Sequence, residues 1–267
     1  MKQLLHIYGP IAVQSYGLMI ALGLLVFILL VKRNERFQAL QLEDSFFDIL
    51  ILGIVSALIG GRTLFVLSEQ GSPTIVEFFS FWEGGFSILG AIIGVLICLP
   101  PFLWIKKIPL LSLLDLVAIY TPILQAFGRV GCLFAGCCYG ANTTVPWAIT
   151  YTDSESAAPL CTPMHPTQLY SVILLLISFL VLYFGVQKRN LKPGAILSIY
   201  LILVSTERFI VDFWRDDRVF STNEHLPAVL TATLSSYQLL ALGIFAFATI
   251  FLIYSSFGAS NDSPQRN

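Results

Sequence analysis

Charge is what this chain has least of. Of its 267 residues only 12% are Asp, Glu, Lys or Arg, against 56% hydrophobic. A soluble domain carries about 25% charged residues. Half of that is too few to coat a water-soluble globule or to keep a disordered chain solvated. The net charge is -1, so no basic field exists to hold a polyanion, and nucleic acid is not expected as a partner. Internal repeats, low-complexity tracts and soluble linkers are missing. The chain has five cysteines and three histidines, and their spacing matches no metal-ligand pattern. No metal and no cofactor are therefore expected.

What is present is apolar length. Runs occur at 11–31, 46–67, 86–105, 112–135, 169–186, 194–213 and 237–256. About 20 apolar residues cross a bilayer as a helix, and in lipid every backbone group must pair within its own segment. The pattern predicts an all-α integral membrane protein of about seven transmembrane helices. These form a single polytopic domain over 1–256, followed by a short polar tail at 257–267. The first run is too long for a signal-peptide core and is followed by Lys32, Arg33 and Arg36, so a retained helix is expected.

Orientation follows from Lys and Arg. One set of connections, 32–45, 106–111, 187–193 and the C-terminus, holds nine of the fifteen: Lys32, Arg33, Arg36, Lys106, Lys107, Lys188, Arg189, Lys192 and Arg266. The opposite set holds Lys2, Arg215 and Arg218, the last two at an outer mouth. The N-terminus is predicted outside and the C-terminus in the cytoplasm.

The remaining three, Arg62, Arg129 and Arg208, lie inside apolar runs, where charge is costly and usually functional. With that topology each sits about five or six residues from the outer end of its run, roughly 8 Å below the surface. Tyr16 falls at the same depth. A lone arginine could lift its head to the interface. Three at one level point to an anion site at the depth of lipid phosphates, because the planar guanidinium fork suits phosphate. Asp212 stands one helical turn after Arg208, so the two can pair. His165 precedes the fifth run at its outer end. It can cap that helix, or serve as a base or hydrogen-bond partner. Cys132, Cys137, Cys138 and Cys161 cluster at or beyond the outer end of the fourth run. A disulfide to Cys161, a Cys/His metal site and small-residue packing all remain open for them. Gly84-Gly85 after Trp82-Glu83 suggests a re-entrant bend.

Six segments in order carry a resemblance. They are Tyr16-Gly17-Leu18-Met19, Gly60-Gly61-Arg62, Trp82-Glu83-Gly84-Gly85, Gly128-Arg129-Val130-Gly131, His165-Pro166-Thr167-Gln168-Leu169-Tyr170 and Glu207-Arg208-Phe209-Ile210-Val211-Asp212-Phe213. Together they resemble the prolipoprotein diacylglyceryl transferase family. The resemblance implies a transferase of the bacterial cytoplasmic (inner) membrane. Its partners would be phosphatidylglycerol, prolipoprotein signal peptides with a lipobox, and membrane lipid. The diacylglyceryl group would pass to the lipobox cysteine thiol, forming a thioether and releasing glycerol 1-phosphate. The resemblance also implies Arg129 and Arg208 as central phosphate-binding and catalytic arginines, His165 as catalytic, and Arg62, Tyr16, Gln168 and Asp212 as substrate-binding residues.

Four positions depart from the family pattern. Leu89 stands where many members have His. Cys132 and Cys137 stand where many have Asn and Glu, and Asp212 where others have Glu. The anion site survives these changes, and the base is left unassigned. A membrane thiol oxidoreductase using the outer cysteines is one alternative reading. A non-catalytic lipid- or preprotein-binding homologue is the other.

Overall fold

The computed structural model describes residues 3–8, 11–68, 75–79, 85–154, 156–189, 191–218 and 234–257. Expectations placed on Lys2, Trp82, Glu83, Gly84, Arg266 and the tail beyond 257 lie outside the described residues.

All seven apolar runs are helices. They are Ser15–Lys32 (α1), Phe46–Ser68 (α3), Ile88–Ile105 (α5), Leu110–Ala135 (α6), Thr167–Leu180 (α7), Ala195–Val211 (α8) and Ser236–Phe257 (α9). Short helices Glu35–Ala39 (α2) and Ile75–Phe79 (α4) lie between them. α7 runs on as a π-helical stretch, Val181–Val186. Six of the seven are long and apolar enough to cross a membrane. The other, α8, has 17 residues, carries Glu207 and Arg208 in its last turns, and continues into a 3-10 turn at Asp212–Trp214. The protein is a multi-pass membrane protein.

One element was not anticipated by the all-α expectation. Ahead of α1, Gln3–Tyr8 (β1) and Ile11–Gln14 (β2) form an antiparallel hairpin with Gln3 opposite Gln14. Its signal was present in Gly9-Pro10, a turn dipeptide flanked by β-branched and aromatic residues, but it adjoins a much stronger apolar run.

The helices carry their polarity inside out. Leu25, Ile59, Ile97 and Phe247 are exposed, whereas Ser56, Ser171, Ser178, Ser198 and Ser205 are buried. A hydrocarbon solvent removes the reason to bury leucine and leaves a reason to hide hydroxyls. Ser178, Ser198 and Ser205 each donate to a carbonyl one turn back, at 2.8, 2.8 and 2.7 Å, which satisfies them within the helix.

The chain packs as two compact units, one of Asn34–Leu113 and one of Met1–Arg33 with Leu114–Asn267. In the first, α3 and α5 meet backbone to backbone. A Cβ on Gly60 would come 2.4 Å from the carbonyl oxygen of Gly90, and one on Gly94 would come 2.3 Å from that of Ser56. Lipid offers no hydrophobic force between helices, so close van der Waals approach has to supply the cohesion. In the second unit, Gly23 of α1 receives Phe127 of α6, with no room for a methyl group.

The second unit also fixes where α8 begins. Asp115, 1% exposed, accepts from the backbone N–H groups of Gly194 and Leu197, both at 2.8 Å. Asp115 therefore caps α8 rather than its own helix. A carboxylate there satisfies two orphan donors and faces the positive end of the helix dipole. Asp115→Ala is expected to cost about 2–4 kcal/mol, with Asp115→Asn losing about half as much. Thermal unfolding of the detergent-solubilised protein measures both.

Candidate functional site

Two of the three intramembrane arginines belong to the discontinuous unit. Arg208 of α8 pairs with Asp212 (Nη2 to Oδ1, 3.4 Å) and lies over the Tyr237 ring at 4.6 Å from its centre. Asp212 is fully buried, at 0% exposure. It also accepts a short hydrogen bond from the Ser235 hydroxyl and faces Arg218 Nε at 3.8 Å. Arg218 donates onward to Gln238 Oε1 at 3.0 Å. One carboxylate thus anchors two guanidinium groups at the end of α8.

Arg129 is different. It is half-buried near the C-terminal end of α6, and among the described residues it has no hydrogen bond, ion pair or ring contact. It lies within electrostatic reach of Arg208 and of Tyr16. Tyr16 is held close to α6 because Gly131 leaves space for its ring; a Cβ on Gly131 would stand 3.0 Å from Tyr16 Cδ2. Two cations are therefore gathered, one of them without a counter-charge among the described residues.

Arg62 is 4% exposed and belongs to the other unit. It donates from Nε to the Glu77 carbonyl at 2.9 Å and from Nη1 to the Gly85 carbonyl at 3.2 Å, and its guanidinium lies 5.6 Å from the Phe65 ring centre. These contacts tether the chain on both sides of 80–84. Leu89 is exposed on α5.

The loop after α6 is built around its cysteines. Gly136 and Cys138 adopt left-handed backbone conformations, φ 68° and 60°. This turn folds Cys137 and Cys138 back onto Cys132, and the three sulfur atoms lie within 4.8 Å of one another. α7 clamps the turn from the side. Thr167 Oγ1 donates to the Cys138 carbonyl and Gln168 Nε2 to the Cys137 carbonyl, each at 2.8 Å. Gln168 therefore works as a brace for this loop. Tyr151 donates to the Leu133 carbonyl at 3.0 Å, and burial together with the nearby Cys137 pushes its hydroxyl up to about 12. All five cysteines are free, and Cys161 is exposed.

Arg215, assigned from sequence to the outer mouth, is buried at 5% exposure. It holds Asp217 with both arms of its fork, Nε to Oδ1 at 2.7 Å and Nη2 to Oδ2 at 2.6 Å, and lies against the Cys138 thiol. Burial works against its charge, but the hydrogen bonds to Asp217 and Cys138 outweigh it and hold Arg215 above the ordinary value. The same bond from Arg215 holds Asp217 below the usual carboxylate range. Hydrogen bonds from the Cys132 and Cys137 thiols, joined by Arg215, hold the Cys138 thiol well below the ordinary thiol value.

Gly140 locks this loop to the end of α8. Its N–H donates to the His165 carbonyl at 3.0 Å, the next N–H donates to the Trp214 carbonyl at 2.8 Å, and Gly140 bridges to Arg215. A Cβ there would stand 2.6 Å from the Trp214 oxygen and 2.7 Å from the His165 oxygen, both rigid backbone atoms. Gly140→Ala is expected to cost about 1–3 kcal/mol and to displace Arg215. A lowered unfolding temperature together with a loss of turnover checks it.

The His165 side chain turns to the other face. Its Nδ1 lies 3.0 Å from the Tyr170 hydroxyl, which accepts from the Trp147 indole at 2.8 Å. The Tyr170 hydroxyl thus links the His165 ring to the Trp147 indole. This trio lines a largely apolar cleft of about 500 Å³ with Ile173, Ile210 and Trp214. The expected cap at His165 is absent, since α7 begins without a side-chain cap.

Comparison with known proteins agrees with this architecture. A sequence model of the family described as "Prolipoprotein diacylglyceryl transferase" matches residues 2–254. A phosphatidylglycerol–prolipoprotein diacylglyceryl transferase of Clostridium tetani is 33% identical over 92% of this chain and 97% of its own. One from Clostridium perfringens is 36% identical over 79% and 82%, and one from Idiomarina loihiensis is 29% identical over 94% and 91%. With the match running through α1, the arginine-bearing α6 and α8, and most of α9, the chain belongs to the prolipoprotein diacylglyceryl transferase family.

Proposed function

We propose that this protein transfers the diacylglyceryl group of phosphatidylglycerol to the lipobox cysteine thiol of prolipoproteins, releasing glycerol 1-phosphate. The observation that carries this reading is Arg129, half-buried on an apolar helix without a protein counter-charge among the described residues and within electrostatic reach of Arg208. A cation so placed, with a second one nearby, calls for an anion that itself dwells in a membrane, and a phospholipid phosphate meets that description.

As the glycerol carbon–oxygen bond breaks, negative charge grows on the departing phosphate. Arg129 and Arg208 would stabilise it from fixed positions, Arg208 being aimed by Asp212. Tyr16 would border the phosphate beside Arg129. His165, with Nδ1 engaged by Tyr170, would hydrogen-bond a bound substrate through Nε2. Gln168 and Thr167 would keep the 136–138 turn in register, and Arg62 would hold the Glu77 and Gly85 backbone within its own unit. The apolar cleft of about 500 Å³ suits an acyl chain. In this reading all seven helices cross the bacterial inner membrane, α8 completing its span through the 3-10 turn, with the N-terminus outside and the C-terminus in the cytoplasm.

The test is complementation of bacteria depleted of their own transferase, read by mass spectrometry of a reporter lipoprotein. A diacylglyceryl thioether on the reporter cysteine is the expected product. A reporter that is retained by the protein but stays unmodified would leave the non-catalytic binder.

A further inference from the structure

The mechanism above leaves one group of chemically potent side chains without a task, the three thiols at the end of α6. We propose that Cys132, Cys137 and Cys138 hold a zinc ion with three sulfur ligands and a fourth position open to the acceptor cysteine. This rests on the transferase reading for the identity of the fourth ligand, while the three-sulfur site stands on geometry alone.

The geometry is close to what zinc needs. Three Sγ atoms lie within 4.8 Å of one another. Zinc–sulfur bonds of about 2.3 Å in a tetrahedron set sulfur pairs about 3.8 Å apart, so modest side-chain rotation closes the gap. The backbone is already committed: the left-handed turn at Gly136 and Cys138 and the clamps from Thr167 and Gln168 hold Cys137 and Cys138 beside Cys132. Three thiolates and a divalent ion sum to minus one, and buried Arg215, which also pairs with Asp217, lies against Cys138 and tempers that charge. Cys132 is buried while Cys137 and Cys138 are partly open, which leaves an approach for a fourth ligand. Soft thiolates select zinc over the hard cations. Three protein ligands with one open position are the arrangement of reactive rather than structural zinc.

The site answers a need of the proposed chemistry. No base is assigned for the acceptor, and a thiol must become a thiolate to attack. Coordination to zinc does this directly, because a coordinating thiol loses its proton outright. The step is balanced. The acceptor S–H bond breaks as the zinc–sulfur bond forms, and the proton leaves to solvent. That sulfur then forms a bond to the glycerol carbon of the lipid while the carbon–oxygen bond to phosphate breaks. The bonding pair leaves on the phosphate oxygen, near Arg129 and Arg208. The thioether product is a neutral, weak donor and departs from the metal. No electron is gained or lost overall.

The experiment uses the full chain in detergent. Metal content is measured after purification without chelator, and cobalt(II) is titrated into metal-stripped protein under reducing conditions. We expect about one zinc per chain and the intense sulfur-to-cobalt absorption of a tetrahedral thiolate site. Cys161→Ser should keep both, and Cys132→Ala, Cys137→Ala and Cys138→Ala should each weaken them at least tenfold. Adding a lipobox peptide should change the cobalt spectrum, and its Cys→Ser version should not. Arg129→Gln should retain the metal and the peptide response while losing transfer, which separates this site from the transferase reading. If metal-loaded wild-type protein transfers nothing to the peptide, the transferase reading fails and the three-sulfur site stands. Substoichiometric metal with all thiols reduced overturns the proposal, as does a disulfide among these cysteines when thiols are trapped in intact membranes. A cobalt spectrum indifferent to the peptide overturns the fourth-ligand role.

Discussion

Arg129→Gln is expected to lower diacylglyceryl transfer about 10²–10³-fold, the usual consequence of removing one fixed donor from a developing oxyanion. Because Arg129 makes no hydrogen bond or ion pair with the described residues, its removal strands no partner. The unfolding temperature should therefore stay near wild type or rise slightly, since an uncompensated cation next to Arg208 is relieved. Arg129→Lys should recover only part of the rate, because a compact ammonium lacks the bidentate fork. Transfer to a lipobox peptide from phosphatidylglycerol in mixed micelles measures all three proteins. Turnover of Arg129→Gln within a few-fold of wild type would remove Arg129 from the chemistry.

The second prediction is an asymmetry across one ion pair. Arg208→Gln should reduce transfer by a similar factor while the protein stays folded, because Asp212 keeps Ser235 and Arg218. Asp212→Ala should add a loss of stability to a loss of transfer. It leaves Arg208 and Arg218 facing one another around an emptied, fully buried position, and breaking a buried pair in this way costs about 3–5 kcal/mol. Chemical or thermal unfolding of the two variants, alongside transfer rates, distinguishes a catalytic arginine from a structural one. Equal destabilisation by both would make Arg208 chiefly a partner for Asp212.

How much of this could be read in advance depends on the range of the forces involved. The seven helices were legible because lipid imposes one rule on every apolar run. The Arg208–Asp212 pair was legible because helical spacing brings residues four apart together. Arg215 was not. Its neighbours in sequence are Asp216, Asp217 and Arg218, a pattern that reads as solvated charge. What buries it is the bridge to Gly140 and the Cys138 thiol, both far away along the chain. The sequence placed four cysteines together, but which of them converge was hidden for a related reason. Its spacing fits no ligand pattern, and convergence comes from two left-handed residues, one of them a cysteine that gives no hint of such a backbone. Arg62 read as an anion ligand on its depth alone, but the backbone carbonyls of Glu77 and Gly85 take two of its donors. The N-terminal hairpin was masked by the stronger signal beside it.

The discontinuous unit has a consequence for biogenesis. α1 leaves the ribosome first, yet the helix that fills its Gly23 notch is α6, synthesised only after the whole Asn34–Leu113 segment. At about 5–20 residues per second, that delay lasts seconds. During it α3 and α5, neighbours in sequence with glycine faces that need no third partner, can dock as soon as the second of them enters the bilayer. α1 must wait in lipid with its notch unfilled. Quality control that samples half-built membrane proteins would meet this chain at that stage. Substitutions at Gly23 should thus show themselves first as shortened lifetime in the cell, before any change in the rate of the finished protein.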